Sequence, residues 1–256
     1  MNTLLEIIDT TNEPNILAQL RDDKEYYSGI GKNYLSNSDI GTLLSNPQDF
    51  GKPREDNKAF MDGRYFHQLI LEPEKAKDTP FVDVSTRTTK EYKAFCEDNN
   101  LPFCMLKKEM NEVEQLVKII NGNISFFEEI YKDGNQYEVP AIANIQGMMW
   151  KGKADIVTDN AVIDLKTTSD IHKFKYSAKM YNYDSQCYLY QQLFGKPLVF
   201  YVIDKGTGVL GVFRPTEEFV RGGEIKVGKA IEVYNKYFSA TPTDDIANYY
   251  IDEYLL

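Results

Sequence analysis

The periodicity of this chain changes once, near residue 136, and that change limits the folds open to it. Up to about residue 133 the apolar positions follow a helical repeat. Ser36, with Asp39 three positions on, has the form of a capping box opening a short helix with Ile40, Leu43 and Leu44 inside. A second helix is expected over 58–71, stopping before Pro73. The clearest spans 107–131, where Met110, Val113, Val117, Ile120 and Ile124 recur at steps of 3, 4, 3 and 4. From 136 the segments YEVPAIANI, MMWKGKADIV and AVIDLKT read as strands, joined by turn chemistry at Gln146–Gly147 and Asp159–Asn160. A helix over 171–194 follows, then the strands LVFYVID and GVLGVFR around Lys205–Gly206. A last helix, 216–238, carries Val220, Val227, Ile231, Tyr234 and Phe238. The order β-β-β-α-β-β-α behind a helical N-terminal part is an α/β architecture with a mixed sheet. No internal repeat or low-complexity linker interrupts it, so one continuous domain is expected.

Composition narrows the class further. With 256 residues, 42% hydrophobic and 27% charged, the chain is long enough to bury a core and too apolar to be disordered. No apolar run approaches the roughly 20 residues needed to span a bilayer. The start, MNTLLEIIDT, lacks the basic region of a signal peptide, so a cytoplasmic location and no membrane partner are expected. Cys96, Cys104 and Cys187 form an odd set with no CxxC, which argues against a disulfide scaffold or a metal–thiolate cluster and fits a reducing compartment.

A net charge of −10 opposes a protein that coats nucleic acid, but the charge is uneven. Residues 1–30 hold six acids against two bases, and 216–256 hold eight against four. Residues 147–180 reverse the sign, with Lys151, Lys153, Lys166, Lys173, Lys175 and Lys179 against four aspartates. A local phosphate-facing surface is compatible with that map.

The chemistry concentrates in GKADIVTDNAVIDLKTT, residues 152–168. Asp155 and Asp164 fall on consecutive strands across a short turn, so the strands run antiparallel and two inward carboxylates can converge. Such a pair repels unless a cation lies between, and hard oxygen ligands suit Mg²⁺ or Mn²⁺. Lys166, two residues after Asp164, shares its face and stands where an ammonium can position a water or meet phosphate charge. The acid–x–Lys pattern occurs five times, but only the Asp164 copy lies in an apolar β-run with a second Asp on the preceding strand. His67 shares a helix face with Phe60, Gly63, Ile70 and Leu71, either as a core histidine bonded to backbone or as a metal ligand. Gln186 and Tyr190 are spaced i, i+4 on the helix that follows. Arg64 is either a solvated helix residue or a contact for a terminal phosphate. Trp150 is either core or a base-stacking residue.

Together these residues resemble the PD-(D/E)XK nuclease superfamily, in its RecB-like and exonuclease VIII (RecE)-like branch, over about residues 34–204. The resemblance lies in SNSDIGTLLSNP, the Gly63-to-His67 segment followed by LILEPEK, the G-K-x-D strand ending at Asp155, the D-x-K strand of Asp164, Leu165 and Lys166 with Thr167 and Thr168, and the Q-x-x-x-Y helix of Gln186 and Tyr190. It implies a restriction-endonuclease-like mixed central sheet flanked by helices. A helical part, 1–133, would contribute the His motif, 134–215 would form the catalytic core, and 216–256 a C-terminal helix and acidic tail. It further implies a Mg²⁺- or Mn²⁺-dependent DNA exonuclease acting at duplex ends in phage-type recombination. The metal would be held by His67, Asp155, Asp164 and the Leu165 carbonyl, with Lys166 assisting the attacking water. Glu138 matches a position where relatives often carry an acid, either a second-metal ligand or an exposed edge residue. Gln186, Tyr190, Thr167, Arg64, Lys173, Lys175 and Lys179 would support the site or contact DNA. Some relatives bind an iron–sulfur cluster through four cysteines; this chain has three, and Asn46 stands where those relatives often place one, so no cluster is expected. Relatives form closed homo-oligomers, and a single-strand annealing protein is an expected partner, in a bacterial host cytoplasm if phage encoded. The competing readings are a structure-specific or single-strand endonuclease of the same superfamily, and a non-catalytic acidic protein using the fold as a scaffold.

Overall fold

A computed structural model describes residues 13–53 and 56–252; the N-terminal MNTLLEIIDT falls outside them. The helical part runs through α1 (Glu13–Gln19), α2 (Asp23–Tyr27), α3 (Asn37–Ser45), α4 (Lys58–Leu71) and the short α5 (Pro73–Ala76). The capping box at Ser36 is present, with Asp39 Oδ2 accepting the Ser36 N–H at 2.7 Å. An excursion that the periodicity did not indicate follows: β1 (Phe81–Val82), α6 (Lys90–Asp98) and β2 (Met105–Leu106), the two strands pairing in parallel.

The stretch expected as one helix over 107–131 is two, α7 (Lys107–Gly122) and α8 (Ile124–Ile130). Asn123 leaves the helical region, and its side chain accepts the Phe126 N–H at 3.1 Å, capping a new helix. The apolar stripe therefore ends early: Ile124 is exposed, and Phe126 and Ile130 carry burial onward.

The core strands are β3 (Gln136–Ile145), β4 (Met148–Val157), β5 (Val162–Thr168), β6 (Leu198–Asp204) and β7 (Leu210–Phe213), in that spatial order. Within this sheet β5 and β6 are the parallel pair, and their crossover is helical. This crossover, expected as one helix over 171–194, is also divided. After a 3₁₀ turn, α9 (Phe174–Met180) stops, Asn182 takes the left-handed conformation at φ +58°, and α10 (Tyr183–Phe194) starts afresh. Asparagine tolerates that conformation better than most residues, and the junction is tied down from three sides. Asn37 Nδ2 donates to the Asn182 carbonyl at 3.2 Å, and Ser185 Oγ donates to Asn37 Oδ1 at 2.7 Å. From the final helix α11 (Glu217–Tyr237), Lys226 Nζ reaches the Lys179 carbonyl, Asn182 Oδ1 and Asp184 Oδ1 at 2.8, 2.9 and 2.8 Å. The helices touch at Gly223, where a Cβ would stand 2.0 Å from the Asp184 carbonyl oxygen.

One face of the sheet packs on α3, α10 and α11 through Trp150, Leu189, Val202 and Val227, among others. The other packs on α4, α7 and α8 through Phe66, Ile156, Ile163 and Leu165. Trp150 is fully buried and donates to the Ile145 carbonyl at 3.2 Å, so its indole is core and not a platform for bases.

Candidate active site

Three neighbouring strands bring three acids level. In β3 and β4, Tyr137 pairs with Ile156 and Val139 with Ala154, which sets Glu138 opposite Asp155. In β4 and β5, Ile156 pairs with Ile163; continuing that register sets Asp155 opposite Asp164, where the ladder has ended. The backbone departs from regular sheet at this level. Glu138 has φ +48°, a strained conformation for a residue with a Cβ. Asp155 Oδ2 accepts the Leu165 N–H at 2.7 Å, so a side chain takes the place of a ladder carbonyl.

The fourth side chain arrives on α4. Its N-cap Asn57 accepts the Phe60 N–H, and Met61, Tyr65, Phe66, Ile70 and Leu71 are buried, which turns His67 toward the open end of β4 and β5. His67 Nδ1 lies 3.3 Å from Asp155 Oδ1, and Nε2 lies 2.9 Å from the Leu165 carbonyl oxygen. Burial alone would lower its pKa, but the Asp155 carboxylate overrides this by charge and hydrogen bond and lifts it to about 9. In its neutral form the ring donates from one nitrogen to one of those oxygens and keeps a lone pair on the other nitrogen, the form that can hold a metal ion. One ligand atom each from His67, Glu138 and Asp155 lie within 4.8 Å of one another.

Asp164 is placed beside this trio with different partners. Oδ1 accepts from Gln186 Nε2 at 2.6 Å, and Oδ2 lies 2.5 Å from Lys166 Nζ. The lysine contact is an ion pair that ties the ammonium to this buried carboxylate. Burial holds the Asp164 carboxyl above its ordinary range despite Lys166. Burial acts in the same direction on Asp155, but the His67 charge and bond, Lys166 and the Leu165 N–H prevail and depress it. Glu138 is pushed up to about 7 by burial and then by the negative charge of Asp155.

The remaining sequence candidates are scattered. The Tyr190 hydroxyl donates to the Lys153 carbonyl at 2.8 Å and steadies β4 from behind. Thr167 is paired with Ile203 in the sheet. Arg64 is exposed, 3.1 Å from Asp56, and borders an open hollow of about 300 Å³ with Tyr65, Gln68 and Lys75. Lys173 pairs with Asp170 at 3.0 Å, Lys175 lies 4.9 Å from the Tyr176 ring, and Lys179 is exposed on α9. Cys96 and Cys104 have their sulfurs 3.6 Å apart, and Cys187 is buried on α10.

A five-stranded mixed sheet with its acids level across three strands, a histidine from a preceding helix and a lysine two residues after an aspartate define a domain of the PD-(D/E)XK nuclease type. The chain belongs to the family described as PDDEXK-like domain of unknown function (DUF3799), whose model matches residues 42–235 and so spans every residue from His67 to Tyr190. Among solved structures, a "Putative exonuclease" from Eubacterium rectale shares the fold, with TM-score 0.60 and 20% identity over 84% of this chain and 86% of that one. The structure of SSO0001 aligns over 84% of each chain at TM-score 0.34 and 15% identity. No curated protein matches the chain. No described helix is long and apolar enough to cross a membrane.

The fold type implies a divalent metal, and the residues present fit one. The donors are hard oxygens with one imidazole. One feature calls for a counter-charge: the Glu138 carboxyl, half-buried and crowded by Asp155. A cation at this point offsets that crowding.

Proposed function

We propose that this protein is a metal-dependent nuclease that hydrolyses phosphodiester bonds at the ends of duplex DNA, in recombination-type DNA processing. The observation that carries the reading is the alignment of Glu138, Asp155 and Asp164 across β3, β4 and β5, with His67 and Lys166 beside them.

His67, Glu138 and Asp155 would hold Mg²⁺ or Mn²⁺, with Asp164 and the Leu165 carbonyl completing the set. The bound ion supplies neutralisation of phosphate charge and a water of lowered pKa. Asp155 is fixed by the Leu165 N–H, and Asp164 by Gln186, so the carboxylates stand preorganised. The Lys166 ammonium, held by Asp164, orients the attacking water and meets the charge that grows on the phosphate. Water adds to phosphorus and the bond to one sugar oxygen breaks, leaving a phosphate on one side and a hydroxyl on the other. The reading extends to residues 1–133 as supplier of His67, 134–215 as catalytic core and 216–256 as C-terminal support. It extends equally to a homo-oligomeric ring around DNA, a single-strand annealing protein as partner, and a cytoplasmic location.

The test is incubation with end-labelled linear duplex and covalently closed circles, in Mg²⁺ or EDTA. Metal-dependent loss of the linear form with survival of circles is expected. Efficient cutting of circles moves the assignment to an endonuclease, and inertness toward both moves it to a non-catalytic scaffold.

A further inference from the structure

Residues 22–35 carry none of the nuclease motifs, yet two lysines of β4 clamp them to the sheet. Lys151, only 7% exposed, donates to the carbonyls of Tyr26 at 2.6 Å and Gly31 at 2.9 Å, and lies 4.4 Å from the Tyr26 ring centroid. The fit leaves no spare room: a Cβ on Gly31 would stand 2.0 Å from the Tyr26 carbonyl oxygen and 2.8 Å from Lys151 Nζ. Lys153 donates to Asp23 Oδ1 at 2.7 Å, and Lys75 takes the other oxygen at 3.0 Å. Strand alternation puts Lys151, Lys153 and Asp155 on one face of β4, so the clamp leads directly to the carboxylate group.

At the end of α2 this clamp presents two tyrosines in opposite ways. Tyr26 is buried. Tyr27 is 67% exposed and stands edge-on to Tyr26, with centroids 5.0 Å apart and planes at 77°. Lys153 Nζ is 4.7 Å from the Tyr26 ring and 5.9 Å from that of Tyr27. Partial burial, then the charges of Asp23, Glu138 and Asp155, raise the Tyr27 phenol to about 12, against an opposing influence of Arg64. Two of those acids, Glu138 and Asp155, belong to the candidate metal group, while Asp23 belongs to the clamp.

We propose that the exposed face of Tyr27 is a stacking platform for a nucleobase of the DNA strand whose phosphate enters the His67–Glu138–Asp155 group. The proposal rests on the nuclease reading above and deepens it. An aromatic face accepts any base, so the contact gives grip without sequence preference. A chain of net charge −10 gains from a contact that does not depend on neutralising phosphates. The clamp by Lys151 and Lys153 fixes the ring before DNA arrives, which reduces the ordering cost of binding.

The test uses short duplexes with 2-aminopurine at the first or second position of either strand, bound in Ca²⁺ to wild type, Tyr27→Phe and Tyr27→Ala. Wild type and Tyr27→Phe should quench the probe at one position; Tyr27→Ala should not, and its Kd should rise about 5- to 100-fold. An abasic residue at that position should weaken wild type to the same extent and Tyr27→Ala no further. All three proteins should melt alike, since the ring is exposed. Equal binding and quenching by Tyr27→Ala overturns the platform and leaves the nuclease reading intact. So does an Ala variant changed only in oligomeric state, which makes the ring a protein contact. Tyr27-dependent quenching by a wild type that cleaves no DNA with any divalent ion overturns the nuclease reading and keeps the platform. A wild type that neither binds nor cleaves overturns both.

Discussion

Asp155 Oδ2 accepts the main-chain N–H of Leu165 at 2.7 Å, at the level where strand pairing between β4 and β5 stops. One carboxylate therefore closes the sheet's hydrogen bonding and belongs to the candidate metal group. The two duties separate by mutation. Asp155→Asn retains an acceptor for Leu165 and loses the charge. It should fold normally, lose the rise in Tm that Mg²⁺ gives, and lose roughly 100-fold or more in hydrolysis. Asp155→Ala should in addition unfold more easily by about 1–3 kcal/mol without metal, because a buried donor is stranded. Denaturant unfolding in EDTA distinguishes them, and equal stability of the two variants would refute the structural duty.

Asp164→Ala should abolish hydrolysis in a folded protein. Lys166→Ala should reduce kcat by about 10²–10³-fold with little change in DNA affinity, because its ammonium acts on charge that develops during reaction. Gln186→Ala, which frees Asp164 Oδ1, should cost about 10- to 100-fold in the same quantity. Steady-state rates at saturating DNA decide this, and an undiminished kcat for Lys166→Ala would remove it from the mechanism.

The lysines of α9 and its approach make a prediction about salt. Lys173 and Lys179 are exposed, and Lys175 is held only against Tyr176. With few phosphates neutralised, the slope of log affinity against log salt should be modest, on the order of −3 to −5. Replacing Lys173, Lys175 and Lys179 together by Ala should weaken binding to a blunt duplex in Ca²⁺ and flatten that slope. An unchanged slope places the phosphate-facing surface elsewhere.

Lys151 gives a pH dependence of defined sign. Burial pushes its ammonium down to about 8 from an ordinary 10.5, although Asp39 supports the charge. Between those values the unfolded chain binds more protons than the folded one, so this residue's contribution to stability rises with pH across that window; below about 8 it is constant. The unfolding free energy of wild type should therefore gain on that of Lys151→Met between about pH 8 and pH 10. Parallel curves across that range would contradict the buried ammonium.

Gly223→Ala should destabilise the protein by at least about 1–3 kcal/mol, because the added methyl meets the Asp184 backbone and not a movable side chain. Gly222→Ala next to it, whose Cβ would sit 3.7 Å from Asp184 Oδ2, serves as the control. Thermal melts of the pair test the close approach.

Much of this arrangement is legible from residue order, and the reasons differ by residue. Asp155, Asp164 and Lys166 follow from strand alternation and a short turn, because a two-residue period leaves little freedom in register. His67 follows from the apolar stripe of α4, though only the structure shows both nitrogens engaged. Glu138 stays ambiguous in sequence because its position depends on a left-handed residue inside a strand, which no periodicity encodes. The interruptions at Asn123 and Asn182 are hidden for a similar reason: the apolar spacing runs on across them while a single side chain or backbone angle breaks the helix. The Gly122–Asn123 dipeptide is punctuation that could have exposed the first. Tyr27 carries no motif signal, since its significance comes from lysines more than 120 positions away.

Lys226 holds three acceptors at the kink before α10, the helix that delivers Gln186 to Asp164. A fragment cut at residue 215 would retain every proposed metal ligand and yet strip Asp184, 1% exposed, of its cation. The same cut would uncover the apolar face of α10 on which Val227, Ala230 and Ile231 pack, and the relaxation that follows would run along α10 toward the site. The last helix is in this sense a keystone, so a trimmed catalytic core would be expected to fail by loosening while its chemistry stayed complete on paper.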